Sequence, residues 1–391
     1  MTATDATFLA EDRQFMAEAI ELARRGQCST TPNPCVGCVL VKEGVVVGRG
    51  WHRRAGEAHA EVNAIADAGA AARGATAYIS LEPCAVVGRT GACCETLQQA
   101  GVARVISAME DPNPQVAGGG HRHLEASGIA VSSGLMSEQA AALNRGYIRR
   151  MSQQRPRVRC KMAMSLDGRT AMASGESQWI TGAESRHEVQ RLRAESCAIV
   201  TGVGTILADD PAMTVRSTVA ADVADDGASD SAPRQPLLVV LDSSLQTPPS
   251  ATVVVDCQRL SRSVMIVCAA AAADDKRAAL QAYGVEVVEL PRALDEAAGL
   301  DLAALLDLLA QREINEVLVE AGAVLAGGFL AAGLLDEVLL FVAPKLLGSS
   351  ARALFDISLE SMAEAQSLKI EAVSAVGDDW LLRCTPSQVV K

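Results

Sequence analysis

A histidine, a glutamate and two cysteines stand in a pattern suited to a catalytic zinc centre: His59-Ala60-Glu61, then Pro83-Cys84, then Cys93. Catalytic zinc takes three protein ligands and keeps a fourth position for water, and one imidazole with two thiolates fills that count. His59, Cys84 and Cys93 are therefore the candidate ligands. Such a centre lowers the pKa of its water from about 15.7 toward about 7, which supplies hydroxide at neutral pH, and Glu61 is the group to move protons. A carboxylate two residues from a ligand lies beside the metal only where the pair opens a helix, since mid-helix neighbours at that spacing face apart. Gly56, just upstream, permits such a start. Cys94 competes with Cys93, but adjacent residues at a helix start point about 100° apart, so only one faces the metal and Cys94 is expected in the core. Cys35 and Cys38 have zinc-finger spacing, yet an offset of three on an extended strand puts them on opposite faces, which favours burial.

The second half of the chain offers two glycine-bearing turns. A strand predicted at Val317–Glu320 runs into Ala321-Gly322-Ala323-Val324-Leu325-Ala326-Gly327-Gly328, whose glycines can open backbone amides toward a phosphate at a helix start. Thr201-Gly202-Val203-Gly204-Thr205 follows another predicted strand, and two such loops at strand C-termini suit a nucleotide crevice. Taken alone each reads first as a tight turn, and the half lacks a Gly-x-Gly-x-x-Gly turn in an early strand-helix unit.

These residues need elements to hold them. Glu11–Arg25 predicts a helix stopped by Gly26, and Val36–Val41 with Val45–Trp51 a hairpin turned at Glu43-Gly44. There follow a helix from about His59 to Ala70, a strand at Ala75–Ser80, a helix near Cys94–Ala100, a strand at Val105–Ala108 and a helix near Glu138–Met151. The polar stretch Ser152-Gln153-Gln154-Arg155-Pro156 marks a domain boundary, giving domains 1–151 and 156–391. Beyond it the strand pattern restarts at Val158 and continues with Cys197–Thr201, Leu237–Leu241, Val264–Val267, Val285–Glu289, Val317–Glu320 and Val338–Val342. Both domains are thus expected to be α/β. Val219–Pro233, made of small and acidic residues, reads as a surface insertion without chemistry.

Composition bounds the possibilities. With 391 residues, the chain exceeds what one core usually serves. No apolar stretch reaches the roughly 18–20 residues of a membrane span, and the N-terminal residues lack a basic region followed by an apolar core, so a cytoplasmic location is expected. Eleven cysteines in a reducing compartment point to metal ligation or plain burial. A net charge of −12 disfavours nucleic-acid binding, although Arg53, Arg54 and Arg89 can still hold one phosphate.

His59-Ala60-Glu61 with Pro83-Cys84 and Cys93 resembles the zinc nucleoside-deaminase signature, in which the activated water attacks an amine-bearing ring carbon. Generic deaminases space the cysteines by two residues, whereas here eight intervene, carrying Gly88-Arg89-Thr90-Gly91. With Thr31-Pro32-Asn33-Pro34, Val36-Gly37, Leu81-Glu82-Pro83-Cys84 and Asp111-Pro112-Asn113-Pro114, the N-terminal half resembles the bifunctional deaminase-reductases of riboflavin biosynthesis. Lys161, Ser165-Leu166-Asp167-Gly168-Arg169, Gly175 to Thr181, Asp209-Asp210-Pro211 and Ala343-Pro344-Lys345 are similar to the reductase half of that family in order and spacing.

The resemblance implies a cytidine-deaminase-like three-layer domain followed by a dihydrofolate-reductase-like domain, with Zn2+ and NADPH as cofactors. It implies deamination of 2,5-diamino-6-(5-phosphoribosylamino)pyrimidin-4-one and then reduction of the ribosyl group, giving 5-amino-6-(5-phosphoribitylamino)uracil. Asn33, His52 and Arg89 would hold the deaminase substrate. Reductase substrate contacts would be Lys161, Ser177, Arg193, Met213, Arg216 and Glu320, with Arg193 and Arg216 suited to a sugar phosphate. Cofactor contacts would be Ala163, Trp179, Thr205, Asp209 and the run Gly322, Ala323, Val324, Leu325, Ala326, Gly327, Gly328. A homo-oligomer, dimer or tetramer, is likewise implied. Singly, Trp179 also reads as core, Arg193 as a solvated helix charge and Glu320 as a strand-end carboxylate. Two departures from the family pattern are Asn63, where a second histidine is usual, and Ala85-Val86-Val87, where Ser-His follows the first zinc cysteine. The rival readings are a stand-alone nucleoside or nucleic-acid base deaminase with a non-catalytic C-terminal domain, and a zinc-stabilised binding protein without activity.

Overall fold

The computed structural model describes residues 8–85, 91–216, 233–260, 262–269, 273–293 and 299–387. The chain divides into two compact units, the division in this part of the chain falling between Gln154 and Arg155.

The first unit is a five-stranded sheet with helices on both faces. Its elements are α1 (Ala10–Arg24), β1 (Gly37–Lys42), β2 (Val45–Trp51), α2 (Ala60–Ala68), β3 (Thr76–Ile79), α3 (Cys93–Ala100), β4 (Arg104–Ser107), α4 (Gly119–Ala126), β5 (Ala130–Ser133), α5 (Ser137–Leu143) and α6 (Arg145–Gln153). The sheet order is β2-β1-β3-β4-β5. The β1–β2 hairpin turns at Glu43 and Gly44, both with positive φ (52° and 75°), as a tight two-residue turn requires. β3, β4 and β5 run parallel, so their carboxyl ends share one edge of the sheet. One face packs Phe15, Met16, Ala19 and Ile20 of α1 against Val39, Tyr78 and Ile106. The other packs Ala60 and Ala64 of α2, Cys94 and Leu97 of α3, and Leu124 of α4 against Cys38, Leu40, Ala77 and Ile79.

Glycine sets how closely the helices approach. A Cβ on Gly50 would stand 2.3 Å from the Ala60 carbonyl oxygen and 2.3 Å from the Ala64 nitrogen, so β2 touches the start of α2 backbone to backbone. The helix expected at Glu138–Met151 is two helices, broken at Asn144. The Asn144 side chain accepts from the Cys35 N–H (2.8 Å) and donates to the Cys35 carbonyl (2.9 Å), a tertiary bond pair that outweighs continuing the helix.

The second unit is a nine-stranded sheet ordered β11-β10-β9-β8-β12-β6-β13-β16-β15. Its strands are β6 (Arg157–Ser165), β7 (Arg169–Ala171), β8 (Ala198–Gly202), β9 (Leu237–Leu241), β10 (Val264–Cys268), β11 (Glu286–Glu289), β12 (Glu316–Val319), β13 (Glu337–Ala343), β14 (Arg352–Ala353), β15 (Leu368–Val376) and β16 (Asp379–Pro386). β7 and β14 pair separately. Its helices are α7 (Ala183–Glu195), α8 (Val203–Asp209), α9 (Thr252–Arg259), α10 (Asp274–Gln281), α11 (Leu302–Gln311) and α12 (Ala323–Ala331). The strands from β11 to β13 are parallel, and near-continuous runs such as Val264–Cys268 and Glu337–Ala343 are buried throughout, as a sheet covered on both faces demands. Leu305, Leu306 and Phe329 of α11 and α12 cover one face. Val253, Val254 and Leu280 of α9 and α10 cover part of the other, and Leu192 of α7 packs on Leu318 and Phe341. The antiparallel β15–β16 edge was not legible as strand, because β15 is exposed along almost its whole length and carries no buried-strand pattern. The insertion expected at Val219–Pro233 lies, up to residue 232, outside the described residues.

Candidate active sites

In the first unit, three segments converge at the carboxyl end of β3. His59 is the N-cap of α2, in extended conformation, and Glu61 stands in the first turn, where burial leaves it 3% exposed. Cys93 is the first residue of α3, and Cys84 lies in the segment leaving β3. His59 Nδ1 stands 3.2 Å from Cys93 Sγ and 3.6 Å from Cys84 Sγ, and the Cys93 N–H points at Cys84 Sγ (3.4 Å). Tetrahedral zinc with Zn–N near 2.0 Å and Zn–S near 2.3 Å has N···S edges of about 3.5 Å, so the three side chains fit a zinc ion. All three ligating atoms lie within 4.8 Å of one another. Cys94 lies in the apolar cluster instead, and Cys35 and Cys38 are buried and not part of the ligand group.

The two thiols share one negative charge. Cys84 is pulled down to about 4, first by hydrogen bonding with Cys93 and then with His59. Cys93 is held protonated well above the usual thiol range, by its bond to Cys84 and by burial, because a second anion would sit against the first. Glu61 is raised to about 7 by burial and then by the charge of Cys84. His52 is 2% exposed, and burial lowers its pKa. Its Nδ1 faces the Ala58 carbonyl (3.1 Å), which assigns the proton there and leaves Nε2 to accept from Asn33 Nδ2 (3.1 Å). The His52 ring meets the His59 ring edge-on, with centroids 5.1 Å apart, so Asn33 and His52 both border the metal group. Arg89 lies outside the described residues, as do Val86 and Val87.

Glu82 organises the surrounding loops. Its Oε2 accepts from the N–H of Asp111 (3.1 Å) and Gly118 (2.9 Å), and its Oε1 from Gly120 (2.9 Å) and His121 (3.3 Å). Asp111 in turn accepts from Tyr147 Oη (3.0 Å) on α6. Glu82 and Asp111 were visible in the sequence as motif members, but a purpose for them needed the fold.

In the second unit the parallel neighbours β8 and β12 each lead to a glycine at the N-cap of a helix: Gly202, the last residue of β8, before α8, and Gly322, three residues past β12, before α12. A Cβ added at Gly204 or Gly322 would meet nothing, so the helix starts are open. Thr201 Oγ1, fully buried at the end of β8, has no hydrogen-bond partner among the described residues. Helix starts without a side-chain cap at the carboxyl ends of neighbouring parallel strands, together with an unpartnered hydroxyl, fit a nucleotide cofactor. The glycine run itself is not a loop. Only Gly322 precedes the helix, while Ala326 and Gly327 face the core, where a Cβ on Gly327 would collide with the Asp356 carbonyl at 2.4 Å. Val324, Thr205 and Asp209 stay on accessible parts of α12 and α8.

Glu320, 5% exposed just past β12, takes a two-pronged bond from Arg193 (Nε 2.6 Å, Nη2 2.9 Å) and an ion pair from Lys161 (3.6 Å) on β6. Burial alone would raise its pKa, but Arg193 and then Lys161 hold it at about 2. Arg193 is thus neither a solvated charge nor free. Ala163 lies two residues along β6 from Lys161. Trp179 is exposed, its ring under the Arg186 guanidinium (4.6 Å) and its carbonyl bonded by Lys345 Nζ (2.7 Å). Ser177 is half-buried in the same segment. The Met213 side chain is buried with Leu238 and Val254, and Arg216 is exposed.

Comparison with known proteins gives this geometry a family. The RibD C-terminal domain matches residues 156–382, and the cytidine and deoxycytidylate deaminase zinc-binding region matches residues 9–109. The riboflavin biosynthesis protein RibD of Escherichia coli is 46% identical over 95% of this chain and 98% of its own. The chain belongs to the RibD family. RibD of Haemophilus influenzae is 42% identical, covering 98% of this chain and 99% of that protein. Among solved structures, Acinetobacter baumannii RibD superposes with a TM-score of 0.87 at 44% identity, covering 97% of this chain and 99% of its own. A Thermotoga maritima deaminase/reductase gives 0.81 at 29% identity, covering 96% and 99%. The protein is therefore a bifunctional RibD-type enzyme, a zinc-dependent deaminase and an NADPH-dependent reductase of riboflavin biosynthesis, with a deaminase-like and a dihydrofolate-reductase-like unit.

Within the RibD pattern, Asn63 has a local account. Its Nδ2 donates to the carbonyls of Trp51 (2.8 Å) and Ala58 (3.3 Å), closing the β2–α2 connection.

Proposed function

We propose that residues 1–151 deaminate 2,5-diamino-6-(5-phosphoribosylamino)pyrimidin-4(3H)-one and that residues 156–391 reduce the ribosyl group of the product to ribityl, giving 5-amino-6-(5-phosphoribitylamino)uracil. The observation that carries this reading is a complete His59, Cys84, Cys93 ligand set beside a buried Glu61, in one chain with a RibD-type reductase unit. Those three residues would hold a zinc ion, whose chemistry there would be to supply hydroxide at neutral pH for addition to the amine-bearing ring carbon. The Glu61 carboxyl takes the proton of the attacking water and delivers it to the departing amino group, which leaves as ammonia. Its burial beside the three ligands places it where such a shuttle is needed. Asn33, held by neutral His52, offers its amide to the pyrimidine edge, and Arg89 is assigned to the phosphate.

In the reductase half, NADPH supplies the hydride. Thr205, Asp209, Ala163, Trp179 and the 322–328 segment border its crevice. Ala326 and Gly327 contribute by letting α12 pack close. Glu320 fixes Lys161 and Arg193 as a cation pair beside the sugar, and Ser177, Arg216 and the Met213 backbone complete the substrate contacts. Positioning of the open, imine-like sugar carbon against the nicotinamide is the protein's part of the chemistry.

The net charge of −12 supports a small-molecule substrate over nucleic acid. Among the described residues, no helix is long and apolar enough to cross a membrane, in keeping with a cytoplasmic enzyme. A homo-oligomer, dimer or tetramer, is supported by β15, an edge strand whose Ile370 and Val373 are exposed; light scattering tests it. The reactions are tested by incubating zinc-loaded protein with the diaminopyrimidine ribotide, with and without NADPH. A product one mass unit heavier without NADPH, and two hydrogens heavier again with it, is expected. No mass change in either arm would end the proposal.

A further inference from the structure

Between Ala212 and Arg216 the chain is neither helix nor strand, yet side chains from elsewhere bond its backbone residue by residue. Arg262, 2% exposed, donates from Nη1 to the Ala212 carbonyl (2.7 Å) and from Nη2 to the Met213 carbonyl (2.5 Å). Arg193 Nη1 donates to the Thr214 carbonyl (3.1 Å). The Gln235 amide accepts from the Val215 N–H (2.9 Å) and donates to the Val215 carbonyl (2.9 Å), as a neighbouring strand would. Gln190 Oε1 accepts from the Arg216 N–H (3.0 Å).

Such a scaffold is costly. Met213 sits at φ +48°, a conformation that a non-glycine side chain holds only where its surroundings dictate it. Arg262 is a buried cation near a second one, Arg193. A methionine or leucine there would fill the space without that penalty but would leave two carbonyls unbonded. What the arrangement achieves is a fixed register for a segment that ends in the exposed Arg216 and is tied through Arg193 to Glu320 and Lys161.

We propose that Arg262, Gln235 and Gln190 are positioning residues of the reductase half: they hold 212–216 in the one register that presents the Arg216 guanidinium to the phosphate of the sugar substrate. The inference rests on the reading of Arg216 as a substrate contact, and the test separates the two.

Reductase kinetics are measured on the full-length protein with preformed deaminated substrate and saturating NADPH, for Arg216→Ala, Gln235→Leu, Gln190→Leu, Arg262→Gln, Arg262→Lys and the double variant Arg216→Ala/Gln235→Leu. Deamination by the same preparations reports on folding. Losing one or two hydrogen bonds from the scaffold is expected to raise the substrate KM about fivefold to tenfold. The kcat and the KM for NADPH are expected to stay within about threefold. Arg262→Lys, which keeps a donor, recovers part of the loss. The decisive result is the double variant, which is expected to be no worse than Arg216→Ala alone, because Gln235 acts through Arg216. An unchanged KM in Arg216→Ala overturns the reading of that residue. A raised KM there, with normal values in Gln235→Leu, Gln190→Leu and Arg262→Gln or with fully additive losses in the double variant, overturns the positioning role itself.

Discussion

Replacing Glu320 by glutamine should destabilise the second unit by about 3 kcal/mol at pH 7, and two routes lead to that figure. The carboxyl is held at about 2 against an ordinary 4.5, a difference of roughly 2.5 units, which by linkage is worth about 3 kcal/mol. Independently, Arg193 has only 14% of its side chain exposed, and breaking a buried pair by removing one partner costs about 3–5 kcal/mol. The sign follows from a depressed folded-state pKa: the stabilisation is fully present above 4.5 and is lost as pH falls toward 2. The gap between wild type and Glu320→Gln should therefore shrink from about 3 kcal/mol at pH 7 to about 2 at pH 3.5. Urea unfolding by tryptophan fluorescence reads this cleanly in a Trp51→Phe background, since the remaining tryptophans, Trp179 and Trp380, both lie in the second unit. A gap under about 1 kcal/mol at pH 7, or one constant with pH, would refute the account of Glu320 as the buried counter-ion of Arg193 and Lys161.

Glu61→Gln should retain stoichiometric zinc while deamination falls by about 10²–10⁴-fold and reduction of preformed product continues, as metal analysis and the two activity assays will show. Chelation should abolish deamination and spare reduction, so loss of both on zinc removal would contradict independent sites. Glu82→Gln should speed hydrogen exchange at Asp111, Gly118, Gly120 and His121, with about 1–3 kcal/mol lost from the first unit, because a weaker acceptor replaces the shared carboxylate. Gly50→Ala should lower zinc affinity along with stability, since its methyl would push α2, and His59 with it, off the hairpin; unchanged metal binding would show that the contact gives way elsewhere.

The candidate zinc ligands, which the fold brings together, were legible in the chain because each is local: a histidine that must open a helix, a cysteine leaving a strand and a cysteine starting the next helix. Cys94 could be set aside because neighbours on a helix diverge, and it does sit in the core. The alternating strands and helices were equally plain, since a sheet buried on both faces writes itself as apolar runs. Three kinds of feature depended on the fold. The break at Asn144 arises from a partner 109 residues away, which no local pattern records. Gly327 looks like part of a phosphate loop in sequence but is a packing residue in a helix, because a Cβ there would meet the backbone at Asp356. Arg193, Glu320 and Lys161 carry their meaning only together, as do Arg262 and Gln235 around residues 212–216. Periodicity and spacing encode which face a side chain takes. Which distant charge or carbonyl it then meets is decided when the chain folds, since the low dielectric of the interior gives such bonds their strength.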